Sequence, residues 1–171
     1  ANIIDVVAYP FITDLDKVLE AVPLETWGKY NKHFKIGGVK ITSDGSPQGR
    51  TAYFSTPYLT GGPGGEKHWR GEPTFPAETL QQMLKKVYDL NVPLNYHANG
   101  DAAIDMLLKA HETIADDDLG KDRKVTIIHA QFTRKDQIAK YVQYKFRPSY
   151  YGLHTYYFAE AHIANRGKEQ A

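Results

Sequence analysis

Residues 92–129 read VPLNYHANGDAAIDMLLKAHETIADDDLGKDRKVTIIH, and the way this stretch divides decides the fold. Residues 92–96 (VPLNY) form a short strand-like run that leads into His97. Residues 102–115 follow with Ile104, Leu107, Leu108 and Ile114 on one stripe at helical spacing. Asp116-Asp117-Asp118-Leu119-Gly120 is a polar turn. Residues 124–128 (KVTII) are β-branched and end at His129. A strand, a helix and a second strand of these lengths make one βαβ unit. Such a unit pairs its strands in parallel and puts both histidines at the ends of neighbouring strands.

The same alternation continues on either side. Residues 3–12 (IIDVVAYPFI) are apolar on both faces, as expected of a buried strand. Thr13-Asp14-Leu15-Asp16 offers an N-cap with an acid three residues on. Leu15, Val18, Leu19 and Val22 then predict a helix that Pro23 stops. Residues 34–43 (FKIGGVKITS) predict a second strand ending at Asp44-Gly45-Ser46. From 47 to 76 the chain is rich in Gly, Pro, Thr and Tyr, including Gly61-Gly62-Pro63-Gly64-Gly65. A long loop is expected there, a plain surface loop ahead of a lid over substrate. Pro76-Ala77-Glu78 opens a helix with Leu80, Met83, Leu84 and Val87 on one stripe.

Residues 134–144 predict a shorter helix with Ile138, Tyr141 and Val142 inward, and 146–151 (FRPSYY) a fifth strand. Residues 152–171 show no clear period. The reading is an α/β chain with about four to five parallel strands. A doubly wound sheet and an open part of a (β/α)₈ barrel both fit that pattern. A whole barrel needs ~250 residues, so these 171 residues are expected to form a single partial domain of a larger protein.

Composition narrows the partners. With 42% hydrophobic and 12% aromatic residues the chain can build a core. Its 21 basic residues nearly balance 20 acidic ones, which gives no reason to expect nucleic acid or an anionic membrane. The basic pairs Lys85-Lys86 and the run at 121–124 read as solvated surface. There is no cysteine, so disulfides and thiolate ligands are excluded and any metal must use nitrogen and oxygen. No apolar run approaches the ~20 residues that span a bilayer. The first residues, Ala1-Asn2-Ile3-Ile4-Asp5, lack the layout of a signal peptide, so a cytoplasmic location is the default expectation.

Three residues share one geometric property. Lys40 lies on the second strand, while His97 and His129 end the third and fourth. In parallel α/β folds the carboxyl ends of the strands form the rim that carries the site. Imidazole is the commonest metal-ligand side chain, so a site shared by these residues is one reading. The other is bland: strand-end histidines that are simply hydrogen bonded, and a lysine that extends its ammonium out of the sheet.

The wording of the segments adds a resemblance. Residues 39–52 (VKITSDGSPQGRTA), 96–103 (YHANGDAA) and 127–131 (IIHAQ) resemble, in order, signatures of the amidohydrolase superfamily. The match is to its amidohydrolase 3 branch, the YtcJ-like enzymes that include N-substituted formamide deformylase. Ile128 stands where that branch more often has Glu. Pro57-Tyr58 and residues 154–158 (HTYYF) also resemble its linking segments.

The resemblance implies a (β/α)₈ barrel with a mono- or binuclear divalent metal site, zinc above all. Lys40 would be a bridging ligand carboxylated by CO2, and His97 and His129 would hold one metal. The reaction implied is hydrolysis of a C–N bond in an amide, formamide or cyclic amide by metal-activated water. Asp101, Gln131 and His154 are candidates to orient ligands or touch substrate, and His162 is a further substrate contact. Asp101 has an equal claim as a helix cap. His33, His68 and His111 are expected only to face solvent.

The family's His-x-His pair and its strand-end general-base Asp have no match here. Both are expected outside this stretch, with the Asp beyond the C-terminus, and the isolated chain is expected to be inactive. The alternative is a non-catalytic small-ligand-binding or regulatory domain on the same fold. The expected partners are a small amide-type substrate and further copies of the chain covering exposed barrel edges.

Overall fold

A computed structural model describes residues 3–115 and 118–171. Ala1-Asn2 and Asp116-Asp117, part of the expected acidic turn, lie outside the described residues. The βαβ unit forms as its spacing requires: β4 (Leu94–Ala98), α3 (Asp101–Ile114) and β5 (Val125–His129). Around it lie β3 (Val39–Thr42), α2 (Ala77–Leu90), α4 (Lys135–Tyr144) and β6 (Arg147–Ser149). The four strands make one parallel sheet in the order β3-β4-β5-β6.

Nearer the start of the chain, β1 (Val6–Ala8) pairs in parallel with β2 (Phe34–Ile36), and α1 (Leu15–Ala21) lies between them in sequence. The single strand expected over 34–43 is divided at Gly37-Gly38. Val6 faces Phe34 and Ala8 faces Ile36, but Phe11 faces Lys40 rather than Val39. One extra residue is therefore inserted opposite the β1 segment, as in a bulge. That insertion sets which side chains of β3 face the helices, because a slip of one residue exchanges the two faces of a strand.

Val39, Ile41, Leu94, Tyr96, Ala98, Val125 and Ile127 are all fully buried on one face of the sheet. Leu80, Leu84 and Val87 of α2, with Ile104, Leu107 and Leu108 of α3, cover them in one continuous core. The alternate residues Lys40, Thr42, Asn95, His97, Thr126 and Ile128 are half-buried on the opposite face. This is the α/β arrangement expected of an open part of a barrel: parallel strands, helices outside, polar side chains within.

Several local expectations are corrected. The acid-containing start of α1 makes no side-chain cap. Val7, Ile3 and Ile4, expected in a strand buried on both faces, are exposed, because only one edge and one face of that segment find partners. On α4, Tyr141 is buried as expected, but Ile138 and Val142 are exposed; Gln137 and Tyr144 take the inward places beside it. Residues 152–171, read without a period, contain α5 (His154–Tyr157) and α6 (Ala159–Arg166). His111 is fully buried rather than solvent-facing, and its two ring nitrogens meet Tyr88 Oη (2.8 Å) and the Leu119 carbonyl (3.0 Å). Among the described residues no helix is long and apolar enough to cross a membrane.

Candidate metal centre

Lys40 and His97 reach the same face by plain alternation. Thr42 is opposite His97 and Lys40 is opposite Asn95, so both side chains project from the face the helices leave open. His129 does not follow the rule. It is opposite Ala98, whose side chain is buried on the helix side. The backbone overrides this: His129 has φ 73° and Ala130 φ 46°, two consecutive left-handed residues with side chains. This conformation costs roughly 1–2 kcal/mol per residue, and strain of this kind gathers at functional sites. It brings the His129 ring to 4.8 Å from the His97 ring, centroid to centroid, at an interplanar angle of 81°.

The electrostatics fit a pair of neutral ligands. Burial pushes the His97 imidazole down to about 4, and the nearby His129 ring and Lys40 ammonium add to that against the pull of the Gly45 carbonyl. Burial, His154 and Lys40 together lower His129. Lys40 is itself lowered by burial, which raises its share of neutral amine. His97 Nε2 is taken up by the Gly45 carbonyl (3.3 Å) and the Asn99 side-chain amide (3.1 Å). His129 Nδ1 is buried with no partner. An orphaned buried imidazole nitrogen implies a missing partner, and a cation suits a neutral imidazole lone pair. Among the described residues no three His, Cys, Asp or Glu side chains converge tightly enough to hold a metal alone. Lys40 projects from the same face as His97.

Asp44, which carries no site expectation from the sequence, organises the rim. Its side chain is fully buried and accepts the backbone N–H groups of Tyr53 (3.0 Å), Asn99 (3.0 Å) and Gly100 (2.8 Å). Its Oδ1 also lies 3.4 Å from His97 Nε2. Burial drives this carboxyl up to about 7 against those hydrogen bonds. The backbone comes so close that a Cβ at Gly100 would stand 1.9 Å from the Tyr53 carbonyl oxygen. A charged residue directly after an apolar strand, followed by Gly45, was the available signal.

The other candidates divide. His154 stacks on His129 at 5.6 Å and 27°, and His162 follows at 5.7 Å from His154. Both are buried, and His154 Nδ1 and His162 Nε2 have no partner, so the imidazoles continue inward from the pair. Asp101 does not cap α3; Gly100 holds that position. Its carboxylate accepts Ser55 N (2.9 Å), Ser55 Oγ (2.5 Å) and Arg134 Nη1 (2.8 Å), which places it on the loop rather than on the histidines. Gln131 lines a cavity beside that loop.

The 47–76 segment is irregular but anchored. Asp44 and Asp101 hold residues 53 and 55, Asn165 Nδ2 donates to the Pro47 carbonyl (3.0 Å), and Arg166 donates to the carbonyls of Thr56 and Pro57. The Gly61–Gly65 turn lies over Glu66, whose carboxylate accepts Gly64 N at 3.0 Å.

Comparisons with known proteins point to one family. A model described as "Amidohydrolase family" matches residues 4–171. YtcJ of Bacillus subtilis (strain 168), provisionally named an amidohydrolase, is 29% identical over 136 residues, or 77% of this chain and 24% of that protein. A crystal structure of an uncharacterized metal-dependent hydrolase from Pyrococcus furiosus superposes with a TM-score of 0.76 at 28% identity. It is covered over 32% of its length and this chain over 97%. A counterpart from Pyrococcus horikoshii OT3 gives 0.75 at 29% identity, with 97% of this chain and 31% of that one covered. The chain thus spans about a quarter of its curated relative and about a third of the two solved structures.

Proposed function

This chain belongs to the amidohydrolase family, and from that premise we propose that it supplies one wall of a divalent-metal centre in a C–N bond hydrolase. Lys40, His97 and His129 are the proposed ligands, zinc the proposed metal, and an amide, formamide or cyclic amide the proposed substrate class. The observation that carries the reading is the left-handed backbone at His129. It turns a side chain that alternation would bury under the helices toward His97.

The chain's own residues prepare the site in three ways. Burial and neighbouring charge keep both imidazoles neutral at physiological pH, so that each offers a lone pair. Burial lowers Lys40, and a neutral lysine amine is the form that adds CO2 to become an anionic oxygen ligand. Asp44, Gly45 and Asn99 hold the His97 ring from its Nε2 side, and such outer contacts fix a ligand's orientation. When bound, a divalent ion would polarise the scissile carbonyl and lower the pKa of water. No residue in this chain is proposed as the general base, so the isolated chain should be inactive, and amide turnover above background would contradict that.

Zinc titrated into metal-stripped protein in a calorimeter tests the centre directly. His97→Ala and His129→Ala should each weaken binding more than about 100-fold, beyond the loss typical of an outer-contact mutation. Protein equilibrated with ¹³C-labelled CO2 should show a carbamate carbon that Lys40→Ala abolishes. Zinc binding indifferent to both histidine substitutions would overturn the assignment.

A further inference from the structure

His111, near the end of α3, joins three segments through one fully buried ring. Its Nε2 lies 3.0 Å from the Leu119 carbonyl, on the return to β5, and its Nδ1 2.8 Å from Tyr88 Oη of α2. A carbonyl oxygen only accepts, so Nε2 carries the proton and Nδ1 accepts the Tyr88 hydroxyl. Both nitrogens are satisfied in the neutral ring of this one tautomer. Tyr144, Phe146 and Tyr88 surround it, with centroids 4.6, 4.9 and 5.8 Å away.

A second proton on this ring lands on Nδ1, against the hydroxyl hydrogen of Tyr88. That hydroxyl then has to reverse, and a charge is held away from water, which is costly. Burial accordingly keeps the imidazole below its ordinary value of 6.5. The charged neighbours divide. Arg123, on the return segment, lies 5.0 Å from the Tyr88 ring centroid and opposes the charge. Glu112 of α3 favours it, but its carboxylate already accepts Lys140 Nζ (2.6 Å) and Tyr144 Oη (2.7 Å) of α4.

We infer that His111 is an acid-sensitive latch: in mild acid the ring takes a second proton, leaves its place, and frees the turn at Leu119 from α2 and α3 while the sheet stays folded. A ring held neutral when closed stabilises the closed state fully above about pH 6.5, the ordinary histidine value. That contribution is lost as pH falls through the lower value of the closed ring. None of these contacts involves Lys40, His97 or His129, so the latch does not rest on the proposed metal centre.

The test is amide hydrogen exchange of the ¹⁵N-labelled chain by NMR, from about pH 7.5 to about pH 5. The Ala115 and Lys121 N–H groups bond the His111 and Asp118 carbonyls. Their protection factors should fall by up to about tenfold per pH unit below ~6.5, the linkage of one proton. Tyr96 and Ile127, within the sheet, should keep theirs. His111→Gln retains a donor and an acceptor but does not titrate, so it should abolish the pH dependence. Tyr88→Phe keeps a ring in place and removes the hydroxyl bonded to the neutral form, so it should move the opening to higher pH; it decides the matter if His111→Gln does not fold. Turn protection indifferent to pH, loss at Tyr96 and Ile127 in step with the turn, an unchanged pH dependence in His111→Gln, or an opening in Tyr88→Phe at the same or lower pH would each overturn the inference.

Discussion

Asp101 shows how one side chain can serve two segments distant in sequence. Burial raises its carboxyl, but the Ser55 hydroxyl and N–H and the Arg134 guanidinium outweigh that and hold it below the usual carboxylate range. A carboxylate lowered in the folded state adds stability above its unfolded pKa and loses it as pH falls through the folded value. Asp101→Asn should therefore cost about 2 kcal/mol at neutral pH, the scale of charge-assisted hydrogen bonds. The loss should shrink in acid, where the parent carboxylate is protonated as well. Urea denaturation at pH 7 and near pH 3 measures both, and a constant difference across that range would refute the argument. Arg134 keeps Asp105 and Asp136 in the variant, so the loss is confined to the contacts of Asp101 with Ser55 and Arg134.

Among the elements, α4 carries a backbone cost that a substitution can relieve. It ends on Lys145 in the left-handed conformation, φ 57°, an exposed position where helices favour glycine. Lys145→Gly should remove roughly 1 kcal/mol of strain, partly offset by the greater freedom of glycine in the unfolded chain. The net expectation is a gain of about 0.5 kcal/mol, visible as a higher urea midpoint at unchanged slope. α2 ends in the same conformation on Asn91, which tolerates it better, so glycine there should gain less. A midpoint lowered by Lys145→Gly would mean that the lysine side chain contributes more than its backbone costs.

For the whole molecule, the sheet and helices leave apolar side chains in water. Val142 is 77% exposed and Tyr156 80%, with Ile138 and Tyr157 also uncovered, and the outer strands of a sheet present unpaired backbone groups. We propose that copies of the chain associate through these surfaces. Light scattering should report a mass above the monomer that rises with concentration, and Val142→Lys should lower it without shifting the thermal midpoint. A monodisperse monomer at high concentration would count against this.

The sequence by itself determined the order and type of the main elements, because helical and strand periodicities are local. It marked the strands that carry Lys40, His97 and His129, and the segments around them carried the family. It did not determine the bulge at Gly37-Gly38, the burial of His111, the helices of the last twenty residues, or the anchoring of the 47–76 loop by Asp44, Asp101 and Arg166. Each of these depends on a partner far away in the chain. Nor did it show that His129 turns toward His97, since a period of two assigns that ring to the opposite face. Only a closed network of backbone hydrogen bonds and packed side chains can hold a residue in the conformation that brings the two imidazoles together.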